Sequence, residues 1–365
     1  MGAAAEGPAA SPLLLPGFEY GRMDVDGVSI SYAVRGAGSP LLLLHGYPEN
    51  HLIWRNVAPD LARDHTVVLA DLRGYGNSDK PTPDLAGLVY SKRSMARDQV
   101  RLMRQLGFWH FQLVSHDRGA RVGHRLVLDH PDAVSRLAVL DIVPTRHVLH
   151  NVTQAVALTN YHWFFLATGN GIPERMITAD PGFWVRGLMG QLIGKGASIE
   201  PEVMQDYIRC FQDPRTVAGS CADYRSAVSV DLAQDDETFG AGHKVECPVM
   251  VLWGTQGMVG PGYDPIGIWQ QYATDVRGHA VPTGHFVPEE APDQVSAALR
   301  DFLDRLSLAL SRVGTPFNPA IGAVAAGLAP DRPTTVGCRP CHGAGCGTGV
   351  SRWRDHRGTN AAGKG

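Results

Sequence analysis

The chain has 365 residues, 44% of them hydrophobic and 19% charged, and its formal net charge is −3. These values are typical of a folded protein with a large core, and they argue against nucleic acid or an acidic membrane as the main partner. No run of about 18 apolar residues is present, so the sequence predicts no membrane span. Residues 1–16 lack the basic region of a signal peptide, so we expect a loose tail there and a cytoplasmic protein.

Short apolar runs alternate with helical patterns through the first part of the chain. An amphipathic stretch at 91–106 predicts a helix that stops at Gly107, and a second helical stretch runs from Gly119 to about His130. Buried or half-buried strands are predicted at 28–34, 41–44, 67–70, 111–114 and 137–140. This alternation predicts an α/β fold with a mostly parallel, doubly wound sheet, in which active sites collect at the carboxyl ends of the strands.

The pattern changes between Thr145 and Gly240. Apolar residues recur there at helical spacing, aromatic residues are frequent and no convincing strand is present. We interpret this stretch as a helical cap inserted over the strand ends, with the sheet resuming at 249–253 and a closing helix at about 292–310. The predicted organisation is a flexible tail (1–16), a first core part (17–144), a cap (145–240), a second core part (241–311) and a disordered tail (312–365).

The predicted C-terminal tail contains a group of metal-ligand residue types. Cys338, Cys341, His342 and Cys346 lie close together, in a spacing compatible with a small zinc site or with haem attachment. The surrounding sequence is rich in Gly, Pro and Arg and has no apolar periodicity around which a metal site could fold. We therefore favour disorder over both alternatives, and we expect no metal and no cofactor.

The stretch from Ser115 to Gly119 has the pattern small-x-Asp-x-Gly between a predicted strand and a predicted helix. Small residues at both ends let the backbone turn sharply and present the central side chain, as in a nucleophile elbow. The central residue is Asp117, and a carboxylate that is already ionised at neutral pH can displace a leaving group from saturated carbon. The alternative is an ordinary strand-to-helix turn, in which the aspartate is stabilised by the positive end of the helix dipole.

Residues for the remaining steps of such a reaction follow the other strands. The His45-Gly46 turn can aim backbone N–H groups at the elbow, so we predict an oxyanion hole made by the N–H groups of Tyr47 and Arg118. His285 lies in a late loop and is the predicted base. Asp141 ends the 137–140 strand and is the predicted orienting acid, with Asp264 as the alternative. The order of elbow, strand, cap, strand and late histidine is the α/β-hydrolase plan.

Two arginines flank the predicted nucleophile. A guanidinium matches the two oxygens of a carboxylate. The presence of both Arg118 and Arg121 beside Asp117 therefore indicates that the substrate is itself an anion. They would also lower the pKa of Asp117. The alternative is that both arginines pair with Asp117 or with acids of the core.

Several of these motifs together resemble the fluoroacetate (haloacetate) dehalogenases. The resemblance runs from about residue 17 to 310. Ser115 departs from the family, which usually has Gly there, and we expect a stiffer elbow rather than lost activity. The motifs are His116-Asp117-Arg118-Gly119-Ala120-Arg121, Asp141, Tyr161-His162-Trp163, Asp223-Tyr224-Arg225 and Gly284-His285-Phe286.

The resemblance implies a role for each matching residue. Asp117 would be the nucleophile, Arg118 and Arg121 would bind the substrate carboxylate, and Asp141 with His285 would serve the hydrolytic step. The residues that it implies for halide binding are His162, Trp163 and Tyr224; by spacing alone, these aromatic residues would be packing residues of the cap. The family is commonly dimeric, so a homodimer is implied.

The predicted function is hydrolysis of a small anionic 2-haloacid, with water as the second substrate and without nucleic-acid or membrane partners. One alternative is an epoxide hydrolase of the same fold, in which two cap tyrosines, Tyr161 and Tyr224, would protonate the epoxide oxygen. A second alternative is a non-catalytic protein that binds a small carboxylic acid.

Overall fold

The structure, a computed structural model, describes residues 14–310, with side chains as far as Asp304. Most of the predicted N-terminal tail lies outside the described residues. The same holds for nearly all of the predicted C-terminal tail, including Cys338, Cys341, His342 and Cys346.

One eight-stranded sheet organises the described chain. Its strands are β1 (Glu19–Asp24), β2 (Ser29–Arg35), β3 (Ser39–Leu44), β4 (His65–Ala70), β5 (Phe111–His116), β6 (Val134–Leu140), β7 (Val249–Gly254) and β8 (Val276–Val281). Their order across the sheet is β1-β2-β4-β3-β5-β6-β7-β8. The first two strands pair antiparallel with each other, β2 is antiparallel to β4, and all other pairs are parallel. The predicted mostly parallel α/β fold is confirmed.

The helices fall into two groups. Those around the sheet are α1 (Ala58–Leu61), α2 (Lys92–Gln105), α3 (Asp117–Asp129), α12 (Pro265–Trp269), α13 (Val287–Glu290) and α14 (Pro292–Leu310). Those between β6 and β7 form the helical insertion: α4 (Thr145–His150), α5 (Gln154–Thr159), α6 (Tyr161–Ala167), α7 (Ile172–Ala179), α8 (Pro181–Leu192), α9 (Pro201–Phe211), α10 (Pro214–Ser226) and α11 (Leu232–Gly240). A π-helical stretch, Ala227–Asp231, joins α10 to α11. Within residues 14–310, no helix combines the length and apolar character needed to cross a membrane.

The centre of the sheet is apolar because both of its faces are covered. Leu41 to Leu44 of β3 are fully buried between β4 and β5, as expected for a parallel strand with helices on both sides. The edge strands differ: β1 is exposed along much of its length, and β8 is mostly half-buried, with His279 and Ala280 exposed. Apolar runs therefore predicted the inner strands, whereas β1 and β8 had no comparable signal.

Close packing at the start of α3 explains the small residues of the elbow. A Cβ on Gly119 would overlap the backbone oxygen of His45, so α3 can approach the end of β3 only with glycine at this position. A Cβ on Gly123 would lie 2.9 Å from the Ser115 hydroxyl. That hydroxyl donates to the Ala138 carbonyl of β6 at 3.1 Å, so Ser115 is accommodated with its polar group paired.

Candidate active site

An aspartate, a histidine and a second aspartate meet at the carboxyl ends of the central strands. Asp117 follows β5, Asp141 follows β6 and His285 lies in the loop after β8. The His285 Nδ1 atom lies 2.6 Å from Asp141 Oδ2, and the other oxygen of Asp141 accepts from the Gly254 N–H at 3.0 Å. Asp264, the alternative acid, instead caps α12 by accepting from the Gly267 N–H at 3.1 Å.

Both aspartates occupy an unusual backbone conformation. The φ angle is +42° at Asp117 and +50° at Asp141, in the left-handed region that residues other than glycine rarely adopt. Such a conformation costs on the order of 1–3 kcal/mol and persists only where surrounding structure fixes it. The sharp turn predicted at the elbow is therefore present, and it projects the Asp117 side chain from the β5–α3 junction.

The His45-Gly46 turn lies directly against Asp117. The Tyr47 N–H donates to Asp117 Oδ2 at 3.1 Å. A Cβ on Gly46 would lie 2.6 Å from the Asp117 Cβ, so glycine is required for this approach. The second predicted oxyanion donor, the Arg118 N–H, belongs to the residue after Asp117, in the first turn of α3.

The surroundings of Asp117 favour its ionised form. Burial raises the pKa of this carboxyl, but the charges of His285, His116 and the two arginines outweigh it and lower the pKa to about 2. The side chain is only 3% exposed. An ionised carboxylate therefore lies in a nearly dry environment, where few water molecules compete with a bound reactant.

His116, the residue before Asp117, forms a buried ion pair. Its Nδ1 lies 3.0 Å from Glu49 Oε2, and its Nε2 donates to the His285 backbone oxygen at 2.9 Å. Burial lowers the pKa of His116, but the charge and hydrogen bond of Glu49, the Asp117 charge and the hydrogen bond to the His285 backbone together outweigh burial and raise it to about 9. Sequence reasoning assigned no role to Glu49, because nothing in its spacing relates it to residue 116.

Arg118 is held by an acid of the helical insertion. Its Nε and Nη2 atoms donate to the two carboxylate oxygens of Asp223 in α10, at 2.9 and 2.7 Å. The guanidinium also lies 4.1 Å from the centre of the Tyr224 ring. Its Nη1 is buried and has no hydrogen-bond partner among the described residues. Arg118 thus pairs with a buried acid, as the alternative interpretation of the sequence expected for the arginines. Its Nη1 nitrogen nevertheless stays without a partner.

Asp223 collects further donors from the core. It accepts from the Tyr75 hydroxyl at 2.7 Å and forms an ion pair with Lys92. Burial raises the pKa of Asp223, but Arg118 and Lys92 hold it well below its usual range. The sequence offered no signal for this cluster, whose members lie on separate elements.

Arg121 is held more loosely. Its Nη1 donates to the Val143 carbonyl at 3.1 Å and to the Thr145 hydroxyl at 3.0 Å, and its guanidinium lies 4.3 Å from the centre of the Trp163 ring. Burial and the neighbouring charge of Arg118 lower its pKa to about 10, so it remains a cation at neutral pH.

Three neighbouring aromatic residues each carry a buried polar atom that has no hydrogen-bond partner among the described residues. His162 and Trp163 of α6 lie beside Tyr224 of α10, with ring centres 6.0 and 6.2 Å from that of the tyrosine. Over residues 14–304, the structure gives no hydrogen-bond partner to His162 Nδ1, Trp163 Nε1 or the Tyr224 hydroxyl, and all three atoms are buried. Burial lowers the pKa of His162 to about 3, so the ring is neutral. Buried polar atoms are usually paired in proteins, so three together suggest a site for a ligand.

The family model and the relatives that this chain matches agree with one another. Residues 39–292 match the family model of the alpha/beta hydrolase fold. A fluoroacetate dehalogenase from Burkholderia sp. is 43% identical over 296 residues, which cover 80% of this chain and 95% of that protein. This relative confirms the resemblance stated from the sequence. A soluble epoxide hydrolase from Corynebacterium sp. is 34% identical over 284 residues, covering 76% of this chain and 95% of that protein.

Solved structures agree with this family. A presumptive alpha/beta hydrolase from Nostoc sp. PCC 7120 is 44% identical with a TM-score of 0.77, covering 79% of this chain and 98% of that one. A mutant of a presumptive epoxide hydrolase from Pseudomonas aeruginosa, solved with bound MFA, is 45% identical with a TM-score of 0.76. The match covers 81% of this chain and 99% of that one.

Proposed function

The chain belongs to the alpha/beta hydrolase family, and from this premise we propose that it hydrolyses small 2-haloacids to the 2-hydroxyacid and halide. Fluoroacetate or chloroacetate would give glycolate. The observation that supports this proposal best is the cluster of three unpaired polar groups, on His162, Trp163 and Tyr224, beside a buried carboxylate and two guanidiniums.

The substrate carboxylate is assigned to Arg118 and Arg121. Asp223 already occupies two groups of Arg118, so this residue offers its free Nη1 rather than its whole fork. The Nε of Arg121 is also buried and has no partner within the described part of the chain. Each arginine therefore has one buried nitrogen without a partner, Nη1 of Arg118 and Nε of Arg121. Together the two guanidiniums would offset the repulsion between the substrate carboxylate and Asp117.

The departing halide is assigned to the three aromatic donors. Fluoride leaves carbon poorly because it is strongly hydrated in water, and it needs hydrogen-bond donors placed where its charge develops. An indole N–H, a phenol O–H and an imidazole N–H are compact donors of this kind. Their burial excludes the water that would otherwise compete.

In the first step, a carboxylate oxygen of Asp117 attacks the α-carbon in line. A C–O bond forms, the carbon–halogen bond breaks and the halogen leaves with the electron pair. The product is an ester of Asp117 with an inverted α-carbon.

In the second step, His285, oriented by Asp141, takes a proton from water. The hydroxide attacks the ester carbonyl carbon, and the N–H groups of Tyr47 and Arg118 would stabilise the oxyanion. The ester C–O bond then breaks, and the leaving alkoxide takes the proton back from His285 and departs as the hydroxyl of the product. The hydroxyl of the added water remains on the Asp117 carboxyl group, which releases its proton to solvent and becomes a carboxylate again.

Epoxide hydrolysis is the second candidate, favoured by the 34% identical soluble epoxide hydrolase. A tyrosine that protonates an epoxide oxygen must face the reacting centre. Tyr224 is buried beside Arg118, whereas Tyr161 is 38% exposed. Tyr161 is therefore less well shielded for that role than Tyr224, and the two arginines would have no function in epoxide hydrolysis.

Halide release from fluoroacetate, chloroacetate and bromoacetate, measured beside hydrolysis of styrene oxide, tests the proposal. We expect release from at least one haloacetate and no diol from styrene oxide. Diol formation without halide release would assign the protein to epoxide hydrolysis. Binding of a haloacetate by calorimetry, with no product of either kind, would favour a non-catalytic binding protein.

Replacement of Tyr224 by phenylalanine should weaken halide stabilisation while keeping the ring under Arg118. Loss of one preorganised donor typically costs about 10²-fold in rate, and we expect a larger loss with fluoroacetate than with bromoacetate, since fluoride needs the donors most. Halide-selective electrodes measure both rates. Tyr161→Phe is the matched control, and equal losses in the two variants would contradict the assignment.

The first step should be insensitive to pH over the range in which the fold is stable. The pKa of Asp117 is lowered to about 2, so the nucleophile loses its charge only in strong acid. We expect the rate of first-turnover halide release to stay level from about pH 8 down to about pH 4, near the ordinary aspartate pKa. Rapid-quench measurements decide this; a fall in that rate centred near pH 6 would show that another group must be ionised correctly.

The homodimer implied by the resemblance stays a prediction, as does the cytoplasmic location. Large exposed apolar side chains are frequent in one part of the helical insertion, and we propose that this part contacts a second copy. These residues are Val152, Leu158, Tyr161, Phe164, Ile172, Met176 and Phe183. Light scattering should give twice the 39.3 kDa mass of the chain, and Met176→Glu with Phe183→Glu should reduce it. A monomeric wild-type protein would contradict the prediction.

A further inference from the structure

The backbone N–H and the backbone oxygen of the proposed base, His285, both have defined hydrogen-bond partners. The His285 N–H donates to the Leu192 carbonyl at the end of α8, at 2.9 Å. Its backbone oxygen accepts from His116 Nε2 and from the Val287 N–H, each at 2.9 Å. The loop that carries the base is therefore attached both to the core and to the helical insertion.

The Glu290 carboxylate connects the loop that carries His285 to the helical insertion. Its Oε1 accepts from the Phe286 N–H at 2.9 Å, and its Oε2 accepts from the Gly284 N–H at 2.8 Å. The same Oε2 accepts from the Gly194 N–H, just after α8, at 2.9 Å. One carboxylate thus binds the residues on both sides of His285 and a residue of the insertion.

Two glycines make this contact possible. A Cβ on Gly194 would lie 2.6 Å from both the Gly284 nitrogen and Glu290 Oε2, and a Cβ on Gly284 would overlap the Gly194 backbone. Side chains at either position would separate the loop from the insertion. The backbone can therefore bring three N–H groups to one carboxylate only with glycine at both positions.

From this geometry we infer that Glu290 is a positioning residue for His285, through which the helical insertion fixes the base for hydrolysis of the ester. The inference rests on the proposed function. Glu290 contacts no proposed reacting atom, so it should affect only the step that uses His285. The first step, attack by Asp117, does not need the base.

Glu290→Gln separates the two steps. A glutamine side chain keeps one acceptor oxygen, while its NH₂ group can accept no hydrogen bond, so the loop loses part of its attachment. We expect kcat with chloroacetate to fall by about tenfold or more, since small displacements of a reacting group have effects of this size or larger. First-turnover chloride release should stay within about twofold of wild type by the same argument, and the ester should accumulate in intact-mass spectra.

Two further variants complete the test. Gly194→Ala perturbs the same contact from the helical insertion and should give the same division between the steps. Glu289→Gln is the control: this neighbouring carboxylate binds Tyr207 and Arg55 instead, so it should lower stability without accumulating ester. Equal losses in both steps with Glu290→Gln, or ester accumulation with Glu289→Gln, would overturn the inference.

Amide hydrogen exchange gives a readout independent of activity. In Glu290→Gln, peptides covering 192–195 and 283–287 should exchange faster than in wild type. Unchanged exchange in both peptides would overturn the inference. A wild-type protein that releases no halide would instead refute the proposed function, and the exchange result would still decide whether Glu290 fixes the loop.

Discussion

The variant His285→Asn should stop the reaction halfway, with Asp117 held as its ester. In the proposed scheme, the first step needs only the ionised nucleophile and the halide donors, whereas the second needs a base to activate water. Asparagine cannot accept the proton, so halide should be released once per active site and then cease. Intact-mass spectrometry after incubation with chloroacetate should show the added mass of one carboxymethyl group, and peptide mapping should place it on Asp117.

His279→Asn is the control for this experiment, because His279 lies exposed on β8 and contacts no proposed site residue. It should turn over like wild type and show no added mass. An unmodified His285→Asn protein with wild-type turnover would refute the two-step scheme. Modification at a residue other than 117 would refute the choice of nucleophile.

The sequence predicted those parts of the fold that are determined by local patterns. The inner strands are apolar runs because both faces of the sheet are covered, and the helix at 91–106 has its N-cap at Ser91 and its C-cap at Leu106. The edge strands β1 and β8 were missed, since partly exposed edges carry polar residues that do not alternate clearly. Burial, rather than intrinsic strand propensity, provided the signal.

Some residues of the candidate site could be predicted from the sequence, and others could not. Asp117, Asp141 and His285 follow strands, and parallel strands bring their carboxyl ends to one edge, so topology alone predicts that these residues meet. Asp223, Glu49 and Glu290 contact the candidate site through partners that are distant in sequence or are backbone N–H groups. No spacing rule relates Arg118 to Asp223, so the sequence suggested a full guanidinium fork for the substrate where the structure leaves only the Nη1 nitrogen free.

Replacement of Asp117 by asparagine should abolish turnover, because a neutral amide cannot displace halide from saturated carbon. Loss of a nucleophile commonly costs about 10⁴-fold or more in kcat. Halide release from chloroacetate should therefore fall to the background rate at every substrate concentration. Asp264→Asn is the matched control, because this aspartate caps α12 while Asp141 is the acid that contacts His285, and it should keep nearly full activity.

Labelled water distinguishes attack by Asp117 from direct attack by water. In a single turnover in ¹⁸O-water, hydrolysis at the ester carbonyl carbon places the label in the Asp117 carboxylate, while glycolate keeps the unlabelled oxygen of the enzyme. Direct displacement by water would place the label in glycolate at once and leave residue 117 unlabelled. Mass spectrometry of the elbow peptide and of glycolate measures both outcomes in one sample. Label found only in glycolate would remove Asp117 from the role of nucleophile, even if Asp117→Asn were inactive.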